Sequence, residues 1–464
     1  VHGDTLRICL VNPPATYELI GNDPVIVKEE AGCYPPLGLL SVATYMLANS
    51  NHEVMVLDSQ AEGINHEETA NRIASFHPDY VGITTMSFTL IDCIKLIKEV
   101  RKRVKTHIVA GGPHATIYPS ECLSQEGLGC DSVVVGEGEQ SFLSLIEDGG
   151  RQRVYRALSF IEGLDKVPVL RRDLLPINKY FSGLSDKRPI TTSMTSRGCP
   201  YQCIFCDRPA LGKKFRAQSA GRVLDEMQDC QNKGIKEIFF YDDTFTINRQ
   251  RVLEICRGYR QRNLKVTWDI RARVNTVDEE LLTACKEAGC SRIHFGVESA
   301  VPRILKELRK GITPTQIQSA FSTCHKLGIT TLAYFMIGNP TETYSDMRES
   351  LKFVQSLNAD YVHMTILTMF PSTKLYQLGL ERGLVQKDVW KEYAEKPIEG
   401  FVPPAWTEIY TREELQVFLK EMYKRFYLSP KYIWNKMLEL RSWKQFKRYA
   451  KGGLAVLSQT YSKN

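Results

Sequence analysis

Apolar strand-like runs alternate with helical patterns along most of this 464-residue chain, and that alternation limits the possible folds more than any other feature. In residues 1–148, Leu6–Asn12, Glu53–Asp58, Tyr80–Met86, His107–Ala110 and Ser132–Val135 read as strands. Leu37–Ala48, Glu67–Phe76, Ile91–Arg103 and Gln140–Glu147 read as helices between them. Strands and helices in this order predict a Rossmann-like parallel sheet with helices on both faces. Ligands of such sheets bind at the carboxyl ends of the strands. There the sequence places Asn12-Pro13-Pro14, Thr84-Thr85-Met86-Ser87, Gly111-Gly112-Pro113-His114 and Gly136-Glu137-Gly138-Glu139. Glycines let backbone approach a bulky ligand. No G-x-G-x-x-G joins the first strand to the first helix, which disfavours a dinucleotide.

Residues 149–190, with Pro168, Pro176 and Pro189, read as a linker. A second alternating run, residues 191–375, has strands at Thr191–Ser196, Glu237–Tyr241, Val266–Arg271, Arg292–Val297, Thr331–Ile337 and Tyr361–Leu367. Six strand–helix units predict a partial (β/α)6 barrel of TIM type, with its active site on the C-terminal rim. Residues 376–464 are mostly helical in pattern and rich in aromatics such as Trp390, Tyr393, Trp406, Tyr423 and Trp434. At helical spacing these read first as core, and secondarily as a pocket lining under a substrate cap.

The chemistry concentrates in Arg197-Gly198-Cys199-Pro200-Tyr201-Gln202-Cys203-Ile204-Phe205-Cys206. The C-x3-C-x2-C spacing supplies three thiolates, and short cysteine loops hold iron–sulfur cubes. A cube with four irons and three protein ligands keeps one iron open. Zinc with a fourth ligand from elsewhere is the other reading, but no second C-x2-C or H-x3-H follows. Most of the remaining cysteines among the 13, such as Cys9, Cys93, Cys256, Cys285 and Cys324, fall in apolar periodic stretches and read as core. The net charge of +7 is concentrated at the C-terminus: Thr411–Asn464 holds 12 Lys/Arg against 4 Asp/Glu. Its amphipathic pattern reads as a solvated face rather than a nucleic-acid surface. With no apolar run of membrane-span length and no secretory signal in the first residues, a cytoplasmic protein is expected.

The cysteine segment resembles the radical S-adenosylmethionine (SAM) superfamily, in which an aromatic residue, here Phe205, precedes the last cysteine. The resemblance implies a [4Fe–4S] cluster on Cys199, Cys203 and Cys206, with SAM on the open iron. It extends to the other strand ends of the barrel. Asp242 and Asp243 stand where the family meets the SAM amino group, and Arg271 or Arg273 would pair with its carboxylate, which a guanidinium grips bidentately. Glu298 and Ser299 would bond the ribose or methionyl portion, and Ile337 and Gly338 would flank adenine. Strand-end carboxylates are also ordinary helix caps, which is the plain reading of Asp243 and Glu342. Tyr241 is a weak candidate for a redox or proton relay, against a packed strand-end tyrosine.

The N-terminal part resembles the cobalamin-binding domain that precedes the radical-SAM core in one large subfamily. Asn12 and Pro14, the run Tyr34-Pro35-Pro36-Leu37-Gly38, Gly111-Gly112-Pro113-His114 and Val135-Gly136-Glu137-Gly138-Glu139 carry the likeness. Thr84 and Ser87 join the cobalamin candidates at the third strand end. The cobalt-ligating D-x-H-x-x-G motif is absent, because Gly112 stands where Asp would precede His114. His114 is then either a pocket residue or a loop residue. A vestigial domain without cobalamin is the bland alternative.

The resemblance implies that SAM is cleaved reductively to a 5′-deoxyadenosyl radical, which takes hydrogen from an unactivated carbon. In the commonest outcome methylcobalamin then methylates that carbon, and a second SAM remethylates cobalt. Relatives with the same cofactors instead cyclise, contract or oxidise rings, the anaerobic porphyrin-ring cyclase among them. Methylthiotransferases add three N-terminal cluster cysteines, a pattern that Cys9, Cys33 and Cys93 do not match. A cobalamin-binding sensor, the reading from another class, has no use for the cysteine loop. The expected partners are a small-molecule substrate and a one-electron reductant such as flavodoxin or ferredoxin.

Overall fold

The computed structural model describes residues 5–19, 21, 32–157, 159–207 and 211–438. The first sheet contains β1 (Arg7–Asn12), β2 (Glu53–Asp58), β3 (Tyr80–Thr84), β4 (His107–Gly111), β5 (Ser132–Val135) and β6 (Val154–Arg156). Their order is β2-β1-β3-β4-β5-β6, and every ladder is parallel. Alternate residues of β1 serve opposite faces, as the two-residue period requires. Ile8 and Leu10 pack with Leu39, Met46 and Phe142 from α1 (Leu37–Asn49) and α4 (Gly138–Glu147). Cys9 and Val11 pack with Ile73, Cys93 and Leu96 from α2 (His66–Phe76) and α3 (Leu90–Arg101). Strand β6 lies in the stretch that reads as linker. Only Tyr155 of its three residues is buried, and flanking arginines leave no apolar run to reveal it.

The second sheet is built from β7 (Ile190–Ser193), β10 (Glu237–Phe240), β11 (Thr267–Ala272), β12 (Cys290–Glu298), β13 (Thr330–Ile337) and β14 (Tyr361–Ile366). A short hairpin, β8 (Ser196–Arg197) with β9 (Arg216–Ala217), follows β7. The order β14-β13-β12-β11-β10-β7 is parallel throughout, and among the described residues no ladder joins β14 to β7. This is the open six-unit barrel expected. The intervening helices are α5 (Ala220–Asn232), α6 (Arg249–Gln261), α7 (Glu279–Glu287), α8 (Pro314–Leu327) and α9 (Tyr344–Ser356). Each starts where a side-chain oxygen accepts from an otherwise orphaned backbone N–H: Ser219, Asn248, Asp278, Thr313 and Thr343 in turn. Ile238, Phe240, Trp268, Ile270, Ile293 and Phe295 point from the strands into the layer beneath these helices. The intervening positions bring polar side chains such as Asp269, Arg271, Arg292 and His294 together inside the barrel.

The C-terminal helices are α10 (Lys374–Glu381), α11 (Val389–Glu395), α12 (Arg412–Tyr427) and α13 (Pro430–Leu438). Trp390, Tyr393 and Trp406 join the core that also holds the α2/α3 face of the first sheet, so this region binds the two sheets together. Tyr423 and Phe426 belong to the barrel core, and the Tyr423 hydroxyl donates to the Met364 carbonyl. The aromatics are therefore core residues, except Trp434, which is 62% exposed. The strongly basic stretch beyond Leu438 falls outside the described residues. Among those described, no helix is long and apolar enough to cross a membrane.

Candidate active site

The cysteine loop leaves the barrel through the β8–β9 hairpin, in which Arg197 pairs with Arg216 and Ser196 with Ala217. Asp242, fully buried at the end of β10, accepts from the Thr195 N–H at 2.6 Å, the Thr195 hydroxyl at 2.7 Å and the Ser196 hydroxyl at 2.5 Å. It fixes the entry to the loop. Gly198 adopts a φ of +80°, and a Cβ there would meet the Lys214 carbonyl at 2.3 Å, so only glycine passes at this point. Cys199 and Cys203 are buried and Cys206 is exposed. Ile204 donates its N–H to the Leu308 carbonyl and accepts from the Leu375 N–H, which ties the loop to the barrel. The Arg273 guanidinium lies 3.6 Å from the Cys203 sulfur and stacks 3.8 Å over the Tyr201 ring. The Lys310 ammonium sits 5.8 Å over Phe205.

Among the described residues, no three His, Cys, Asp or Glu side chains converge tightly enough to hold a single metal ion. The donor chemistry fits an iron–sulfur cube: three thiols on one short loop, with the Arg273 guanidinium beside the Cys203 sulfur to offset thiolate charge.

The rim candidates divide by what they touch. Asp243 is exposed at the barrel mouth. Glu298 has a φ of +70° and accepts from Lys310 at 2.7 Å; Gly296 beneath it leaves the room for that pair. Ser299 is buried, and its oxygen accepts from the Val301 N–H at 3.2 Å within the turn that follows β12. Ile337 is buried, whereas Gly338 turns the chain with a φ of +74° against Leu415 and Trp406. Glu342 accepts from the Asn339 N–H and side chain. Burial raises its carboxyl to about 7 despite those bonds. One layer deeper, Arg271 lies 3.8 Å over the Tyr241 ring and donates to the Phe240 carbonyl. Beside them Asp269 accepts from Arg292 at 2.9 Å, and His294 bonds the Tyr334 hydroxyl at 3.0 Å. Burial would raise the Asp269 carboxyl, but His294 and Arg292 outweigh it and hold it below the usual range. Of the two arginines proposed for a SAM carboxylate, Arg273 is committed to the cysteine loop and the Lys310 carbonyl, and Arg271 faces the barrel interior beside Tyr241.

A cavity of about 480 Å³ opens between the carboxyl ends of the first sheet and the base of the cysteine loop. Asn12, Pro36, Leu37, Gly38 and Thr84 line it, as do Gly111, Gly112, Gly136, Glu137 and Glu139. A Cβ on Gly38 or Gly136 would have no atom within 4 Å, so both glycines border open space that a ligand can fill. Gln218 lines the cavity, and its side-chain oxygen is buried without a hydrogen-bond partner. Bare glycine edges, apolar walls and a buried amide oxygen fit a corrin ring fringed with amides.

Four N-terminal candidates are not in this lining. Pro14 is buried before it, and Tyr34 turns to the barrel, its ring 6.0 Å from Tyr241 and its hydroxyl donating to Ser182. Ser87 and His114 bond each other at 2.9 Å, and burial lowers the His114 imidazole to about 4. His114 therefore sits neutral behind the loop. Glu137 and Glu139 line the cavity but spend their charge on arginines. Arg197 reaches Glu137 at 3.2 Å and Glu139 at 2.5 Å, and Arg216 reaches Glu137 at 2.8 Å. Sequence reasoning missed Arg197, Arg216, Lys310 and Gln218. Arg197 alone carried a signal, its place two residues before Cys199.

The Radical SAM superfamily profile matches residues 193–354, and the B12 binding domain profile matches residues 24–146. The chain is 34% identical to an uncharacterized methyltransferase of Pyrococcus horikoshii over 98% of its own length and 99% of that protein. It is 27% identical to an anaerobic magnesium-protoporphyrin IX monomethyl ester cyclase of Rubrivivax gelatinosus, covering 87% of this chain and 76% of the relative. Its fold is that of the cobalamin-dependent S-adenosylmethionine radical enzyme OxsB, with a TM-score of 0.73 at 17% identity over 98% of this chain and 72% of that one. A cysteine loop with an open-cluster donor set, a glycine-edged cavity beside it and full-length likeness to one relative converge: the chain belongs to the cobalamin-binding radical SAM enzymes.

Proposed function

We propose that this enzyme methylates an unactivated carbon of a small organic substrate held between the cysteine loop and the first sheet. The observation that carries the reading is the cavity of about 480 Å³ whose wall includes Arg197, two residues from Cys199. Bound there, the cluster with SAM supplies a 5′-deoxyadenosyl radical and the cobalamin a transferable methyl group. Cys199, Cys203 and Cys206 would hold the cluster, with Arg273 offsetting its charge. Asp243, Arg271, Glu298 and Gly338 are our candidates for holding SAM, and Gly38, Gly111, Gly112 and Gly136 for the corrin edge. The chain's task is placement and exclusion of water: reacting atoms must lie in line in a dry site, and no side chain need move a proton for the abstraction. A flavodoxin or ferredoxin in a reducing cytoplasm would deliver the electron.

Anaerobic reconstitution with iron, sulfide and cobalamin, followed by SAM and dithionite, tests the reading. Formation of both 5′-deoxyadenosine and S-adenosylhomocysteine supports methyl transfer. The cyclase-like relative favours one second reading, oxidative cyclisation. 5′-Deoxyadenosine without S-adenosylhomocysteine would select it.

A further inference from the structure

The arginines on the two arms of the hairpin that carries the cysteine loop, Arg197 on β8 and Arg216 on β9, are register partners. Both reach Glu137 Oε1, at 3.2 and 2.8 Å, and Arg197 also reaches Glu139 Oε1 at 2.5 Å. Glu137 and Glu139 flank Gly138 where the loop after β5 enters α4, and both line the cavity. The cluster of charges is buried, with side-chain exposures of 12% for Arg197, 3% for Arg216, 1% for Glu137 and 4% for Glu139. Its members are held from outside: the Ser41 hydroxyl of α1 donates to Glu139 at 2.6 Å, the Ile161 N–H donates to Glu137 at 2.8 Å, and Arg216 donates to the Ile161 carbonyl at 2.8 Å. Both ends of the cysteine loop are thus fastened to one wall of the cavity by buried ion pairs. Asp242 fastens the same hairpin to the barrel from the other side.

We propose that Arg197 and Arg216 are positioning residues which, through Glu137 and Glu139, couple the order of the cysteine loop to the shape of the cobalamin cavity, so that assembling the cluster tightens cobalamin binding. The inference rests on the proposed assignment of the two cofactor sites. Coupling through a shared rigid element is reciprocal: whatever cluster assembly does to cobalamin affinity, cobalamin does to cluster retention. Arg216 is the informative position, because it belongs to the clamp but not to the cavity lining. A change there alters the link without removing a cobalamin contact.

The test is a four-corner titration with hydroxocobalamin, followed by absorbance, of the wild-type chain and Arg216→Gln, each with and without a reconstituted cluster. In the wild type, cluster assembly is expected to tighten cobalamin binding by about fivefold or more. In Arg216→Gln the two affinities are expected to fall within about twofold of each other. Arg216→Lys keeps the charge but loses the two-armed geometry, and gives the same readout should Arg216→Gln fail to fold. Equal affinities with and without cluster in the wild type overturn the coupling, as does a ratio that survives in the variant. No cobalamin binding in any wild-type form overturns instead the assignment of the cavity on which the coupling rests.

Discussion

Two parallel sheets in this molecule present their carboxyl ends to ligands, and they do so in opposite ways. The first sheet offers absence: Gly38 and Gly136 face open space, and the cavity between its loops is walled largely by aliphatic side chains such as Leu10, Leu37 and Val109. The barrel offers presence: its interior and rim are filled by Asp269 with Arg292, Arg271 over Tyr241, Glu298 with Lys310 and Arg273 beside Cys203. A large preformed ligand needs room and backbone edges. A small charged ligand next to a reactive cluster needs directed groups in a low dielectric. The same strand–helix architecture is thus tuned by the side chains that line its cavity and its barrel interior, not by the apolar layers beneath its helices.

The sharpest way to separate the two ends is to remove one ligand set at a time. Cys203→Ala is expected to abolish iron retention and all 5′-deoxyadenosine formation, while cobalamin still binds, more weakly if the coupling holds. Iron analysis and absorbance titration read both. Conversely, Gly38→Leu starts a side chain into the cavity from a position whose φ is not positive and where a Cβ meets no atom within 4 Å. Cobalamin affinity is expected to fall by about 100-fold, the equivalent of about 3 kcal/mol. Thermal stability of the cofactor-free chain should hold or rise, because leucine exceeds glycine in helix propensity. A Gly38→Leu protein that binds cobalamin normally would break the assignment of the open end.

Smaller effects sharpen the comparison. Asp242→Asn removes charge-assisted bonds to Thr195 and Ser196 and should cost about 2 kcal/mol in denaturant unfolding, together with a looser cysteine loop. Glu342 gives the charged end a pH signature. Its folded carboxyl is raised to about 7 by burial, so the folded state binds its proton more tightly than the unfolded chain does. That contribution is complete below the ordinary glutamate range and is lost as pH rises through 7, by about 3 kcal/mol across the window. Glu342→Gln should flatten this part of the stability profile. At the open end, His114→Gln should leave cobalamin affinity within about twofold, because the imidazole is buried against Ser87 outside the cavity lining.

The strands and helices were readable because their apolar periods are long and uninterrupted: all but one of the twelve strands of the two sheets coincide with runs visible in the sequence, to within about two or three residues. The exception, Val154–Arg156, is short and set among arginines. The cysteine loop was equally legible, since its three thiols lie close together in the chain. Glu137 and Glu139 were not, because their partners Arg197 and Arg216 lie some sixty to eighty residues away and a glutamate in a glycine loop looks the same with or without a guanidinium beside it. Asp242 is a similar case: a strand-end carboxylate is written alike whether it meets a ligand or ties down Thr195 and Ser196. Long-range pairing decides such roles, and a single sequence does not display it.

An open iron–sulfur cube and a cobalamin at adjoining sites of one chain amount to a composition that can be counted. The most direct measurement is metal, sulfide and cobalamin content after anaerobic reconstitution, with EPR of the reduced protein before and after SAM. About four irons, about four sulfides and one cobalamin per chain are expected, with a cluster signal that shifts when SAM binds. One zinc per chain in place of iron, or a cluster signal indifferent to SAM, would contradict this.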